Sequence, residues 1–212
     1  ELFQAHRQGA CSDERADAVF EHLLRMTVAR DGRILALARQ YMTYEDVVGI
    51  GKRLLGSGLI GGKSVGMLLA RAILKQASSE WEQRLETHDS FYVGSDVFYT
   101  FLVENNIWWV RQKQRNAATF LEDAELARER ILSGHFPDHI QAQFGRVLDY
   151  FGQSPFIVRS SSLLEDNFGN AFSGKYESAF CVNQGERERR LADFMAAGRL
   201  IYASTMSEPA LR

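Results

Sequence analysis

Apolar residues recur at helical spacing from Asp13 to Tyr41, where Val19, Leu23, Leu24, Met26 and Val28 are followed by Ile34, Leu35, Leu37 and Ala38. This period predicts a helical hairpin or a bent helix, with Asp31-Gly32 as the break. Thr43-Tyr44-Glu45-Asp46 has the acidic first turn of another helix, leading into Val47, Val48 and Ile50. The pattern stops at Gly56-Ser57-Gly58-Leu59-Ile60-Gly61-Gly62, a run too rich in glycine for a helix interior. From Lys63 a fresh period runs through Val65, Leu68, Leu69, Ile73 and Leu74, so a glycine loop feeds a helix N-terminus.

Farther along, Phe91-Tyr92-Val93 reads as a short strand, and Ser95-Asp96 caps a helix carrying Val97, Phe98, Phe101 and Leu102. Residues 119–133 and 138–151 read as two amphipathic helices separated by Gly134 and Pro137, and Pro155 blocks further extension. Phe156-Ile157-Val158 is apolar and β-prone, ends in Arg159-Ser160-Ser161-Ser162, and is answered by a strand within Tyr176 to Val182. A last helix is predicted from Glu186 to Ser204. Helices outnumber strands, which predicts an α/β or α+β layered domain, rich in helix, with a small mixed sheet.

The chain has 212 residues, of which 45% are hydrophobic, enough for one large domain or two small ones. Its formal net charge of -2, with acids and bases interspersed, excludes the electrostatic footprint that nucleic acid or an anionic membrane favours. Cys11 and Cys181 are far apart, without a neighbouring Cys or His at metal-ligand spacing, which argues against a disulfide framework or a zinc site. A reducing cytoplasm is the expected setting. No apolar run approaches the roughly 20 residues of a spanning helix, and no basic-then-apolar signal opens the chain. With Glu1 at one end and Arg212 directly after an apparent helix at the other, both termini read as cuts from a longer polypeptide.

Three chemistries compete for the glycine loop. Gly56 to Gly61 matches G-x-G-x-x-G, the dinucleotide fingerprint, yet Lys52-Arg53 stands where a buried strand belongs and Asp96 is too distant for the ribose acid. Gly62-Lys63-Ser64 matches the end of a P-loop, but Ser57 occupies the place of its first glycine. The third reading is a different phosphate loop, in which Gly61 and Gly62 allow close approach, first-turn amides face an anion, and Lys63 adds positive charge. A plain interhelical turn with a solvated lysine explains the same letters.

The second constellation lies at the end of the 156–158 strand. A strand that delivers an arginine and three hydroxyls to its C-terminal edge suits phosphate, because the planar Arg159 fork donates two hydrogen bonds and Ser160 and its neighbours complete a cradle. Pairing of Arg159 with Glu165 or Asp166 in a polar loop is the alternative.

Taken in order, Gly61-Gly62-Lys63 before a helix, Val158-Arg159-Ser160-Ser161, Glu165-Asp166, Phe172-Ser173-Gly174 and Glu177-Ser178 form one series. It resembles the N-terminal ATP-binding domain of the pyruvate phosphate dikinase and phosphoenolpyruvate synthase family, over roughly residues 56–212. The resemblance implies an ATP-grasp-like fold with ATP between two lobes, and phosphate contacts from Lys63 and Arg159. It also places Gly61, Gly62, Ser160, Gly174 and Ser178 among the nucleotide-contacting positions. Ser178 stands where a threonine is usual, and keeps the hydroxyl. Lys175-Tyr176 replace a common pair of glutamines. Residues 1–55 are then a helical N-terminal extension, and 56–212 the first part of the ATP-binding domain.

In the complete enzyme the resemblance implies that the ATP β-phosphoryl group passes to a carrier histidine on a mobile domain and then to an acceptor such as pyruvate. The γ-phosphate goes to water or inorganic phosphate. The Mg2+ ligands, the carrier histidine and the acceptor domain are expected outside this chain, which alone should be inactive. A regulatory nucleotide-binding module, or a dikinase with an antibiotic or glucan acceptor, shares the same signature. His135 and His139 have i, i+4 spacing, but Pro137 between them favours surface or capping roles over metal. Trp108-Trp109 with Arg111, Lys113 and Arg115 read as an amphipathic helix rather than a nucleic-acid platform. The role of Glu165 and Asp166 stays open.

Overall fold

A computed structural model describes residues 12–86, 89–162 and 174–211. The chain forms two compact units, residues 1–94 and 95–212. Glu165, Asp166, Phe172, Ser173 and Cys11 lie outside the described residues.

In the first unit each early helix starts where its sequence supplies a cap. Ser12 opens α1 (Asp13–Thr27) and Asp31 opens α2 (Gly32–Tyr41), with Asp31 Oδ1 accepting from the amides of Arg33 and Ile34 at 3.0 and 3.2 Å. The α3 helix (Tyr44–Arg53) begins with a reciprocal box. The Asp46 amide donates to Thr43 Oγ1 at 3.2 Å, and the Thr43 amide donates to Asp46 Oδ2 at 2.8 Å. Such caps stabilise a helix start by about 1 kcal/mol each, because they satisfy amides that have no partner within the helix.

The strand β1 (Leu54–Leu55) follows, then α4 (Gly62–Ala77), the short α5 (Glu80–Arg84) and β2 (Tyr92–Val93). The two strands pair in parallel, Leu54 opposite Tyr92 and Leu55 opposite Val93, and the Gly94 amide extends the ladder to Leu55 O at 2.9 Å. Helices before and after the glycine loop share one core. Phe20 and Leu24 of α1, Leu35 and Ala38 of α2, Val47 and Ile50 of α3, and Val65 and Leu69 of α4 are buried together with Tyr92. Burial pushes the Tyr92 phenol up to about 12, against the opposing pull of Arg53 and Arg71.

The second unit runs through α6 (Ser95–Glu104), α7 (Trp108–Lys113), α8 (Ala124–Ser133), α9 (Asp138–Phe151), β3 (Phe156–Arg159), β4 (Ser178–Cys181), α10 (Arg187–Ser204) and α11 (Glu208–Leu211). The α10 helix is its spine and packs against α8, α9, β3 and β4. A chain of ring contacts crosses the interior from Tyr202 to Phe101, Phe136, Phe144, Phe194 and Phe156, with successive centroids 4.6 to 5.5 Å apart. Those separations lie in the favourable range for edge and offset ring pairs. Burial raises the Tyr202 phenol far above its ordinary value. Arg187 braces α10 to α9 through a two-pronged pair with Asp149, both contacts 3.0 Å, and holds that carboxyl below the usual range.

The helix-rich α/β class read from sequence is the one observed, and its strands form two pairs, one parallel and one antiparallel. One expected boundary is displaced. The helix predicted over residues 119–133 starts only at Ala124, because Asp123 adopts a left-handed conformation at φ 56° that a helix cannot continue through. The preceding turns are tied instead by Lys113, whose Nζ lies 3.2 Å from Glu122 and 2.5 Å from Asp123. Among the described residues no helix is long and apolar enough to cross a membrane.

Candidate functional site

The glycine loop between β1 and α4 is held by its apolar residues. Leu59 and Ile60 are buried, and the Ile60 amide donates to Thr27 O at 3.0 Å, tying the loop to the end of α1. Gly61 is the N-cap residue of α4 and has φ 86° and ψ 164°, a region open essentially to glycine alone. Its carbonyl accepts the first helical hydrogen bond, from the Val65 amide at 3.0 Å, while no side chain caps the helix. Gly62 and Lys63 are therefore the first two helical residues, both half-buried. A helix start of this kind presents the positive end of its dipole to an anion that approaches.

Gly61→Ala is expected to cost about 1–3 kcal/mol in urea denaturation, since a side chain must either strain that backbone or displace it from the buried wall. An unchanged midpoint would show that the loop does not need this conformation.

In the second unit the candidate residues collect at one end of a hairpin. β3 and β4 pair antiparallel, with Arg159 directly opposite Ser178, Val158 opposite Ala179, Ile157 opposite Phe180 and Phe156 opposite Cys181. Because side chains alternate along a strand and opposite partners share a face, Arg159, Ser178, Ile157 and Phe180 project from one side. That side is open. Arg159 and Ser178 are exposed, and so are Ile157 at 43% and Phe180 at 82%. The other side is covered by α9 and α10, where Phe156 stacks on Phe151 and meets Phe194 edge-on. Cys181 is buried there, and its thiol is pushed up to about 11 by burial and then by Asp193.

Ser160, the residue after Arg159, is buried at 8% exposure, with Ser161 and Ser162 half-buried beside it. The Tyr176 hydroxyl lies 3.4 Å from Ser162 Oγ, which brings the segment leading into β4 back to the end of β3. Gly174 sits in that segment at φ 81°, and a Cβ there would meet nothing within 4 Å. The structure thus brings Arg159, Ser160 and Ser178 together at one hairpin end. Gly61, Gly62 and Lys63 belong to the other compact unit.

A polar clamp that sequence reasoning did not single out fixes the opposite end of the hairpin. Asn183, 5% exposed and left-handed at φ 57°, donates to Gly152 O at 3.0 Å and Ser154 O at 2.8 Å. Arg190 of α10 donates to the same Gly152 carbonyl at 2.6 Å and to Asn183 Oδ1 at 3.3 Å. These bonds join the turn before β3 to the residues after β4, and so set the register that places Arg159 against Ser178. Only the Asn-Gln-Gly turn letters hinted at it in the sequence.

His135 and His139 are exposed, and Asn105 binds both the amide and the carbonyl of His135 through its side chain, at 2.9 and 3.0 Å. Among the described residues no three His, Cys, Asp or Glu side chains gather as metal ligands. The Arg159 guanidinium and the Ser178 hydroxyl at the hairpin end are donors of the kind a phosphate oxygen accepts from.

The model of one protein family, described as the AMP/ATP-binding domain of pyruvate phosphate dikinase, matches residues 57–212. No curated protein and no solved structure matches the chain.

Proposed function

Because this chain belongs to the pyruvate phosphate dikinase AMP/ATP-binding domain family, we propose that it holds ATP for transfer of the β-phosphoryl group to a carrier histidine elsewhere in the same polypeptide. In this reading ATP, water and the histidine give AMP, inorganic phosphate and phosphohistidine. The carried group then passes to an acceptor such as pyruvate, in the cytoplasm. Lys63 and Arg159 each neutralise charge on the phosphates, and Gly61, Gly62 and Gly174 let the backbone come close. Ser160 and Ser178 donate hydroxyl hydrogen bonds to phosphate oxygens. Mg2+ supplied by ligands outside these residues would add its charge to the same phosphates.

The observation that carries the reading is the facing pair Arg159 and Ser178 at the open end of β3 and β4, inside the matched region. An arginine fork and a hydroxyl on one exposed face, with a buried serine next in sequence, have the donor set and the access that a phosphate chain requires.

The test uses the full-length protein with Mg2+ and ATP labelled at either the β or the γ phosphate. Acid-labile β-label on the protein is expected. Label from the γ position alone would mean an ordinary kinase, and absence of label on folded protein that still binds ATP would favour a regulatory nucleotide-binding module.

A further inference from the structure

Between α6 and α7 the second unit has a cavity of about 400 Å3, lined by Tyr99, Trp108, Arg111, Gln114 and Arg115. That volume lies within the roughly 300–1,000 Å3 of small-ligand sites. Its walls combine aromatic rings with two guanidinium groups and no acid. Trp108, Arg111 and Arg115 follow one another at helical spacing, and Tyr99 meets Trp108 edge-on at 84° with centroids 5.8 Å apart.

The two arginines differ in their commitments. Arg111 Nη1 donates to Gln114 Oε1 at 2.9 Å, and Gln114 Nε2 contacts the sulfur of the buried Met206 at 2.9 Å, so this wall is fixed from behind. The Arg115 side chain is exposed and makes no hydrogen bond or ion pair among the described residues. The nearby acids Glu122 and Asp123 are engaged by Lys113. The adjacent Trp109 has a structural role. Its indole N–H donates to Asn106 O at 2.9 Å, and Lys113 and Arg130 lie over its ring. Trp108 is the tryptophan left to line the cavity.

We propose that this cavity binds a small planar anion, an aromatic ring carrying a carboxylate or a phosphate, as a site separate from the ATP phosphates. The ring lies against Trp108 and Tyr99. The acidic group takes hydrogen bonds from Arg115 and from the donors Arg111 does not spend on Gln114, since each guanidinium has five N–H groups in a fork that matches such oxygens. The charge is required as much as the ring, because an unpaired arginine at an aromatic wall rewards an anion and gives little to a neutral molecule.

Calorimetric titration of the intact protein with phenyl phosphate, and with phenol as its neutral counterpart, tests the site. Phenyl phosphate is expected to bind saturably, at least about 10-fold more tightly than phenol, the loss of a charge-assisted pair being of that size. Arg115→Ala, which breaks no hydrogen bond or ion pair among the described residues, should weaken phenyl phosphate by a similar factor, and Trp108→Phe should weaken both ligands. Equal binding of phenol and phenyl phosphate, or retention of affinity in Arg115→Ala, would each overturn the assignment, as would the absence of saturable binding.

Discussion

Arg159→Ala is expected to weaken ATP binding about 10- to 100-fold while leaving the fold intact, because a charge-assisted hydrogen-bond pair contributes about 1.5–3 kcal/mol. The separation of the two effects follows from where the side chain sits. Arg159 ends β3 on the open face, opposite an exposed serine, and its neighbours Phe156 and Val158 on the other side carry the packing. Truncation removes charge and hydrogen-bond donors from solvent-facing space, and surface changes of that kind usually move stability by less than about 0.5 kcal/mol. Titration calorimetry with ATP and a thermal melt on the same preparation read the two quantities. Arg159→Lys should fall between wild type and alanine, since it keeps the charge and loses the fork. Full ATP affinity in the alanine variant would remove Arg159 from the phosphate contacts.

The largest loss of stability is expected from the interior of the second unit. Phe101 is fully buried, with ring centroids 4.8 Å from Phe136 and 5.5 Å from Tyr202, and Phe101→Ala should cost about 3–5 kcal/mol through lost burial and a residual cavity. Gly134 shows how closely that space is filled. A Cβ there would lie 2.6 Å from Phe101 Cζ, 3.0 Å from Asn105 Oδ1 and 3.1 Å from Arg130 O, so Gly134→Ala should cost about 1–3 kcal/mol by overpacking. Its φ of -69° is open to any residue, so the cost is spatial rather than conformational. The two changes should therefore couple. In a double-mutant cycle measured by urea unfolding, the pair should cost less than the sum of the single changes, because alanine at 101 removes the atom that Cβ strikes first. Strict additivity would mean that the helix end shifts to relieve the contact by another route.

Most of this architecture was legible in the sequence wherever a period or a punctuating residue carried it. The break at Asp31-Gly32 is a cap, the acidic turn after Thr43 does open a helix, and α4 begins at the glycine pair. The strand ending in Arg159 and its partner around Ser178 also lie where β-propensity placed them. What escaped has identifiable causes. β1 contains two residues, too few to show any alternation, and becomes a strand only because β2 pairs with it from far along the chain. The late start of α8 depends on one left-handed aspartate, a conformation that the letter Asp permits without requiring. The Asn183 clamp joins residues about thirty positions apart, and a single sequence contains no record of that proximity. Of the candidate site, the sequence supplied residue types and their order along the chain. The pairing of Arg159 with Ser178 across two strands needed the register.

The thiol on the covered side of β4 gives the hairpin a built-in clock. Alkylating reagents react with thiolate, and a Cys181 thiol that is buried and titrates near 11 offers almost none at neutral pH while β4 lies on α10. Labelling at Cys181, mapped by peptide so as to separate it from Cys11, therefore proceeds at the pace of local opening. Whatever holds the opposite face of the same hairpin closed, a nucleotide included, will lengthen that waiting time without ever touching the sulfur.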